Sequence, residues 1–347
     1  MELEHASSIN ENKLNEMGYQ STCWRAPSNI ALVKYWGKKE NQIPCNPSIS
    51  YTLSKCNTTT KLFYREGSGD FAFYYQGKLN ADFSSKALKL INKAKELYPK
   101  LSNYDLVMDT ENSFPHSSGI ASSASSMASV ALCLKDILNL SDEQTSSLAR
   151  LGSGSACRSL HGQLNVWGNH AEFESSNEYS INVSEKVPGE MLKINDSILI
   201  VSSEKKSVSS TLGHQLMNNH PHAERRFENA HQNLSNLYKA MKEKNFQQWG
   251  EIIEREAMEL HGLMMTSTPW FNLMKPETLK IIELIKEFRE KNNLPVYFTL
   301  DAGPNIHLLY PSELKDSVHP WILSEIVPHL ENGQWFDDVV GNGAERL

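Results

Sequence analysis

Apolar and polar positions change their period several times along the 347 residues, and each change predicts an element. Residues 1–20 are polar and without period, which predicts a loose arm. Ala26-Pro27-Ser28-Asn29 reads as a turn, and 30–36 as a mostly buried strand. Residues 48–53 and 58–64 read as two short strands, and 71–78 as a hairpin. A helix begins at Ser84 or Ser85 and runs to Tyr98, with Leu88, Ile91 and Leu97 on one face and Pro99 ending it. The strand 104–109 feeds a small-residue loop, and Ile120, Ala124, Ala128, Ala131 and Ile137 then follow helical spacing to Leu138. Ser141 and Gln144 form a capping box for a short helix that Gly152 stops. A strand at 162–167 closes the first half, and 175–190 reads as surface loop. The second half opens with a strand at 197–201. Long helices follow at 223–242, 246–261 and 276–291, then a strand pair, 295–301 and 305–310, across Ala302-Gly303-Pro304.

Candidate chemistry gathers at four places in this pattern. Residues 112–138 take a loop of proline, glycine and small hydroxyl residues straight into a helix N-terminus. Such a junction presents unpaired N–H groups and the positive end of the helix dipole, which suit a phosphate. The hydroxyls of Ser122 and Ser123 add direct contacts or metal ligands. The competing reading is a small-residue helix packed closely on a neighbour. No Gly-Lys-Ser/Thr follows the glycine, so this is not a Walker loop. Gly152-Ser-Gly-Ser-Ala-Cys-Arg-Ser159 repeats the theme, with Arg158 suited to bidentate anion binding or else capping a flexible linker. Lys34 stands in an apolar strand, as an edge residue or as a buried charge with a partner. Asp301 ends another, as a turn former or as an ionised group near a lysine.

Composition narrows the setting. Hydrophobic residues make up 39% and charged residues 22%, ordinary for a soluble globular chain. A net charge of −7 disfavours nucleic-acid or membrane-surface partners but not a small anion. Five cysteines without a C-x-x-C pair point to reduced thiols in the cytoplasm. No signal peptide and no apolar run of the roughly eighteen residues a membrane span requires is present. His214, His220, His222 and His231 lack metal-ligand spacing and are expected on the surface.

Four ordered blocks carry a resemblance. Asn29-Ile-Ala-Leu-Val-Lys-Tyr-Trp-Gly-Lys38, Phe114-Pro-His-Ser-Ser-Gly-Ile-Ala-Ser-Ser-Ala124, Gly152–Ser159 and Asp301-Ala-Gly-Pro-Asn305 together resemble the GHMP family of small-molecule kinases and, within it, the diphosphomevalonate decarboxylases. The last two blocks are ones that other GHMP kinases generally lack. The resemblance implies an α+β, two-domain GHMP kinase fold, with a ribosomal protein S5 domain 2-like N-terminal domain (21–190, after the arm 1–20) and a ferredoxin-like C-terminal domain (191–347). The site is then expected in the cleft between them. Two departures stand out. His116, Ser117 and Ser118 replace a common Thr-Ala-Ala, and Thr211 stands where some bacterial relatives carry arginine.

The implied activity is ATP-dependent decarboxylation of mevalonate 5-diphosphate to isopentenyl diphosphate, through phosphorylation of the 3-hydroxyl. Asp301, Lys34 and Arg158 are then the catalytic set. Asn29, Tyr35, Lys38, Ser153 and Ser155 join Arg158 around the substrate. Pro115, Ser118, Gly119, Ala121, Ser122, Ser123 and Lys205 hold ATP, with Mg2+ at Ser122 or Ser123. A homodimer is implied as well. A kinase that stops before decarboxylation, and a non-catalytic nucleotide- or metabolite-binding module, are the alternatives.

Overall fold

The computed structural model describes residues 8–114, 120, 122–204 and 207–347. In chain order its strands are β1 (Gln20–Val33), β2 (Ser48–Glu66), β3 (Phe71–Tyr75), β4 (Lys78–Leu79), β5 (Tyr104–Asn112), β6 (Leu164–Trp167), β7 (Ser180–Asn182), β8 (Ile194–Leu199), β9 (Tyr297–Thr299), β10 (Ile306–Pro311), β11 (Trp335–Val339) and β12 (Glu345–Arg346). The helices used below are α1 (Glu11–Glu16), α2 (Ala81–Leu97), α3 (Ser122–Leu138), α4 (Asp142–Gly152), α5 (Ser210–Leu216), α6 (Ala223–Lys242), α7 (Phe246–Met265) and α8 (Pro276–Asn292). Among the described residues the first sheet runs β12-β1-β2-β5-β3-β4, with β6 and β7 attached beside the start of β2. The second runs β11-β8-β10-β9, antiparallel throughout.

Several local expectations change, each for a long-range reason. The two short strands at 48–64 are one, β2, which exchanges its partner β6 for β5 midway. At the exchange, the buried Asp338 carboxylate accepts the N–H groups of Ser54, Lys55 and Cys56 at 2.9, 2.8 and 2.7 Å. Those donors therefore need no turn. The turn expected at 26–29 is a register shift between Pro27 and Asn29 inside β1, where proline lacks an N–H to lose. The arm is not loose over residues 8–20. Asn10 caps α1, and Leu14 and Tyr19 bury against Phe63, Tyr74 and Val107. On α2 the buried face is Ala87, Leu90, Ile91 and Ala94, at i, i+3, i+4, i+7, so Leu88 and Leu97 are exposed. Residues 175–190 include β7 and the buried Val183, not only surface loop. His214 and His220 are buried, contrary to expectation.

The core explains why the halves work as one body. A single apolar cluster joins Ile30, Ile49 and Tyr51 of the first sheet to Ile194, Ile198 and Leu309 of the second, through Leu234 and Trp249 of α6 and α7. The chain end also returns to the first sheet, with Glu345 and Arg346 opposite Arg25 and Trp24. No helix among the described residues is long and apolar enough to cross a membrane.

Candidate active site

Lys34 follows directly on the last residue of β1, and Asp301 lies two residues past β9, so the site is built where strands of both sheets end. The Lys34 ammonium is 3.0 Å from the Asp301 carboxylate. Lys34 is only 2% exposed, whereas the Asp301 side chain is 33% exposed and so reaches solvent. Burial pushes the Lys34 pKa below its ordinary value, and the Asp301 charge opposes that push. The Asp301 turn is itself tied down. The Asn305 side chain accepts the N–H groups of Val201 and Ser202 at 2.8 and 2.9 Å, and His261 bonds the Asp301 carbonyl at 3.1 Å.

Arg158 lies in a short 3-10 turn, Gly154–Ser159, and is almost wholly buried. Its guanidinium donates to the Ser48 hydroxyl and, at 3.4 Å, to the Asn29 side-chain oxygen, and it lies over the Trp167 ring. Asn29 in turn donates to Ser159 at 2.7 Å and to the Ser155 carbonyl at 3.1 Å. The Arg158 Nε has no hydrogen-bond partner among the described residues. Burial depresses the Arg158 pKa, and the charge of Asp301 is among those that counter this. A buried cation with an unused donor is a receptor for an anion.

Tyr35 packs edge-on against Trp167 and tilts against His214. It lies so close to Gly154 that a Cβ there would meet its hydroxyl at 2.7 Å, which is why the second loop needs glycine at that point. His214 accepts the Gly37 N–H at 3.0 Å, and burial lowers its pKa to about 3, so it stays neutral. Lys38 bonds the Gln42 side chain at 2.8 Å. Burial and the charge of Lys86 both lower its pKa. Ser153 meets Ser123 at 3.4 Å, which brings the second loop to the N-terminus of α3.

The close-packing reading of the α3 segment is seen in the fold. Ser125 and Ser129 bond Thr58 and Thr60 of β2 at 2.6 and 2.7 Å, the close packing that small residues permit. Ser122 and Ser123 instead line a cavity open to solvent, with Phe73, Tyr75, Lys86 and Asn112 among its walls. Pro115, Ser118, Gly119, Ala121 and Lys205 lie outside the described residues. Sequence reasoning missed Arg226 and Glu256, since a charged residue on an amphipathic helix carries no local sign of facing inward, and also Lys86 and Ser48, whose neighbours at the site are distant in the chain.

Residues 26–179 match the Diphosphomevalonate decarboxylase-like N-terminal domain family, and 197–340 match the Mevalonate 5-diphosphate decarboxylase C-terminal domain family. The Diphosphomevalonate decarboxylase of Debaryomyces hansenii is 30% identical, with 84% of this chain and 80% of that protein aligned. The solved mevalonate diphosphate decarboxylase from Staphylococcus aureus superposes with a TM-score of 0.84 at 29% identity, covering 96% of this chain and 99% of that one. A structure described as MDDEF in complex with MVAPP, AMPPCP and magnesium gives 0.83 at 28%, covering 95% and 99%. With both halves matched, a curated relative aligned over most of its length and the two sheets superposing on solved examples, the chain belongs to the diphosphomevalonate decarboxylase family.

Proposed function

We propose that this chain converts mevalonate 5-diphosphate and ATP to isopentenyl diphosphate, ADP, phosphate and CO2. The observation that carries the reading is the Lys34–Asp301 pair, buried on the lysine side and open on the aspartate side. Asp301 accepts the proton of the 3-hydroxyl as its oxygen attacks the γ-phosphorus of ATP. A new O–P bond forms and the bridging P–O bond to ADP breaks. Lys34 keeps Asp301 ionised and offsets the charge that develops on the transferred group. Arg158, held by Asn29 and Ser48, fixes the substrate carboxylate through its unused donor. The C–O bond to phosphate then breaks, phosphate leaving with the electron pair. The bond to the carboxylate supplies the electrons of the new alkene as CO2 departs.

Tyr35, Lys38, Ser153 and Ser155 complete the substrate pocket in this reading, and the cavity at Ser122 and Ser123 receives the nucleotide. Lys86, in the wall of that cavity, supplies positive charge on that side. Magnesium fits as a cation carried by nucleotide phosphates. Ser122 and Ser123 offer it oxygen ligands, and among the described residues no group of three or more His, Cys, Asp or Glu forms a protein-only cage. When bound, it neutralises phosphate charge. The division into an ATP- and substrate-binding unit (21–190) and a second unit (191–347) belongs to the same proposal, as does a cytoplasmic homodimer. Five free cysteines suit a reducing compartment. The deciding assay measures ADP and CO2 from ATP, Mg2+ and carboxyl-labelled mevalonate 5-diphosphate. Equal release supports the reading. ADP without CO2 would mean a kinase that stops at the 3-phosphate, and neither product would reject the substrate.

A further inference from the structure

Beyond Val33 the backbone has left the β1 ladder, so the N–H and C=O of Lys34 need partners from elsewhere. The helices of the second half supply them. Glu256 on α7 accepts the Lys34 N–H at 2.8 Å, and Arg226 on α6 donates to the Lys34 carbonyl at 2.9 Å. Arg226 also bonds both Glu256 oxygens, at 2.8 and 2.7 Å, while Asn233 donates to Glu256 at 2.6 Å. Asn46 donates a second bond to the Lys34 carbonyl at 2.9 Å. The Arg226 and Glu256 side chains are both 0% exposed. A buried ion pair is a weak source of stability compared with an apolar pair of equal volume. What an apolar pair cannot do is grip both backbone groups of one residue and set a negative charge behind its ammonium.

We propose that the Arg226–Glu256 pair is a positioning device that holds Lys34 against Asp301 during phosphoryl transfer. The inference rests on Lys34 and Asp301 being the reacting pair of the proposed function. The charges facing Lys34 are Asp301 from the β9–β10 turn, Glu256 from α7, Arg158 from the 3-10 turn and Asp196 from β8. Burial pushes the Lys34 pKa down, Asp301 and then Glu256 push it up, and Arg158 adds to the fall. Loss of the Glu256 charge therefore lowers it further.

The test uses the full chain and steady-state ADP release with mevalonate 5-diphosphate, ATP and Mg2+. An inactive wild type would reject the functional reading and, with it, the inference that rests on it. With an active wild type, E256Q keeps an acceptor for the Lys34 N–H but removes the charge. Its kcat is expected to fall at least about tenfold, with KM for both substrates unchanged. The alkaline limb of its pH profile moves to lower pH. R226M/E256Q carries no uncompensated guanidinium, retains Asn46 on the Lys34 carbonyl, and decides the matter where the single variant does not fold. It is expected to melt as one folded species and remain slow. E259Q also removes a charge that Arg226 bonds, at 2.8 Å, but Glu259 does not touch Lys34, and the variant is expected to keep the wild-type profile. Wild-type kcat in R226M/E256Q, or an alkaline limb that stays in place, overturns the proposal.

Discussion

Cutting the Lys34–Asp301 pair from either side should give unequal results, because the two partners are unequally buried. At 3.0 Å the gross attraction is about 5–6 kcal/mol in an effective dielectric of about 20. Asp301→Asn leaves the Lys34 ammonium in the interior without its closest counter-charge. The loss has a ceiling, since Lys34 can give up its proton, which at pH 7 costs about 4.6 kcal/mol from an ordinary lysine pKa. A loss of about 3 kcal/mol is expected, the lower end of the range for breaking a buried pair. Lys34→Met removes the group that needs compensation and leaves Asp301, 33% exposed, to water, so about 1 kcal/mol or less is expected. The double variant should recover most of the stability lost in Asp301→Asn. Denaturant titration of the three proteins ranks them. Both single variants should lose turnover, by about 10²–10⁴-fold for Asp301→Asn as loss of a general base, while still binding ATP. An Asp301→Asn protein as stable as wild type, or a Lys34→Met protein that is the less stable of the two, would refute the burial argument. Normal turnover by Asp301→Asn would remove Asp301 from the mechanism.

Arg158→Lys keeps the charge but loses the planar fork held by Asn29 and Ser48. The kcat/KM for mevalonate 5-diphosphate should fall by about 10–100-fold in steady-state assays with the KM for ATP little changed. Lys86→Ala, in the wall of the cavity, should do the reverse and raise the ATP KM while sparing that of the diphosphate, read by varying each substrate in turn. Turnover needs protonated Lys34, whose folded pKa lies below the ordinary value. Activity should therefore decline, as pH rises, before a free lysine would titrate, and a kcat profile taken to alkaline pH measures it.

Features whose cause is local were legible in the order of residues alone. The capping box at Ser141 is present as read, because its two hydrogen bonds span only three residues. The helix over Ala223–Lys242 has the expected bounds, since apolar period and chain composition act within a turn or two. The four blocks that mark the family were legible because glycine, serine and charge at short spacing constrain the backbone directly. Tertiary structure alone decided what depends on residues far apart. β2 continues through Ser54–Cys56 because Asp338 satisfies donors more than 280 positions away. Leu14 and Tyr19 fasten a polar-looking arm only once Phe63, Tyr74 and Val107 are assembled beneath them. Glu256 and Arg226 look like any charged residues on amphipathic helices. Their inward direction is fixed by the open backbone groups of Lys34, which exist only where the end of β1 meets α6 and α7. Hydrogen bonds and burial are set by neighbours in space, and a linear pattern reports those neighbours only where they are also close in the chain.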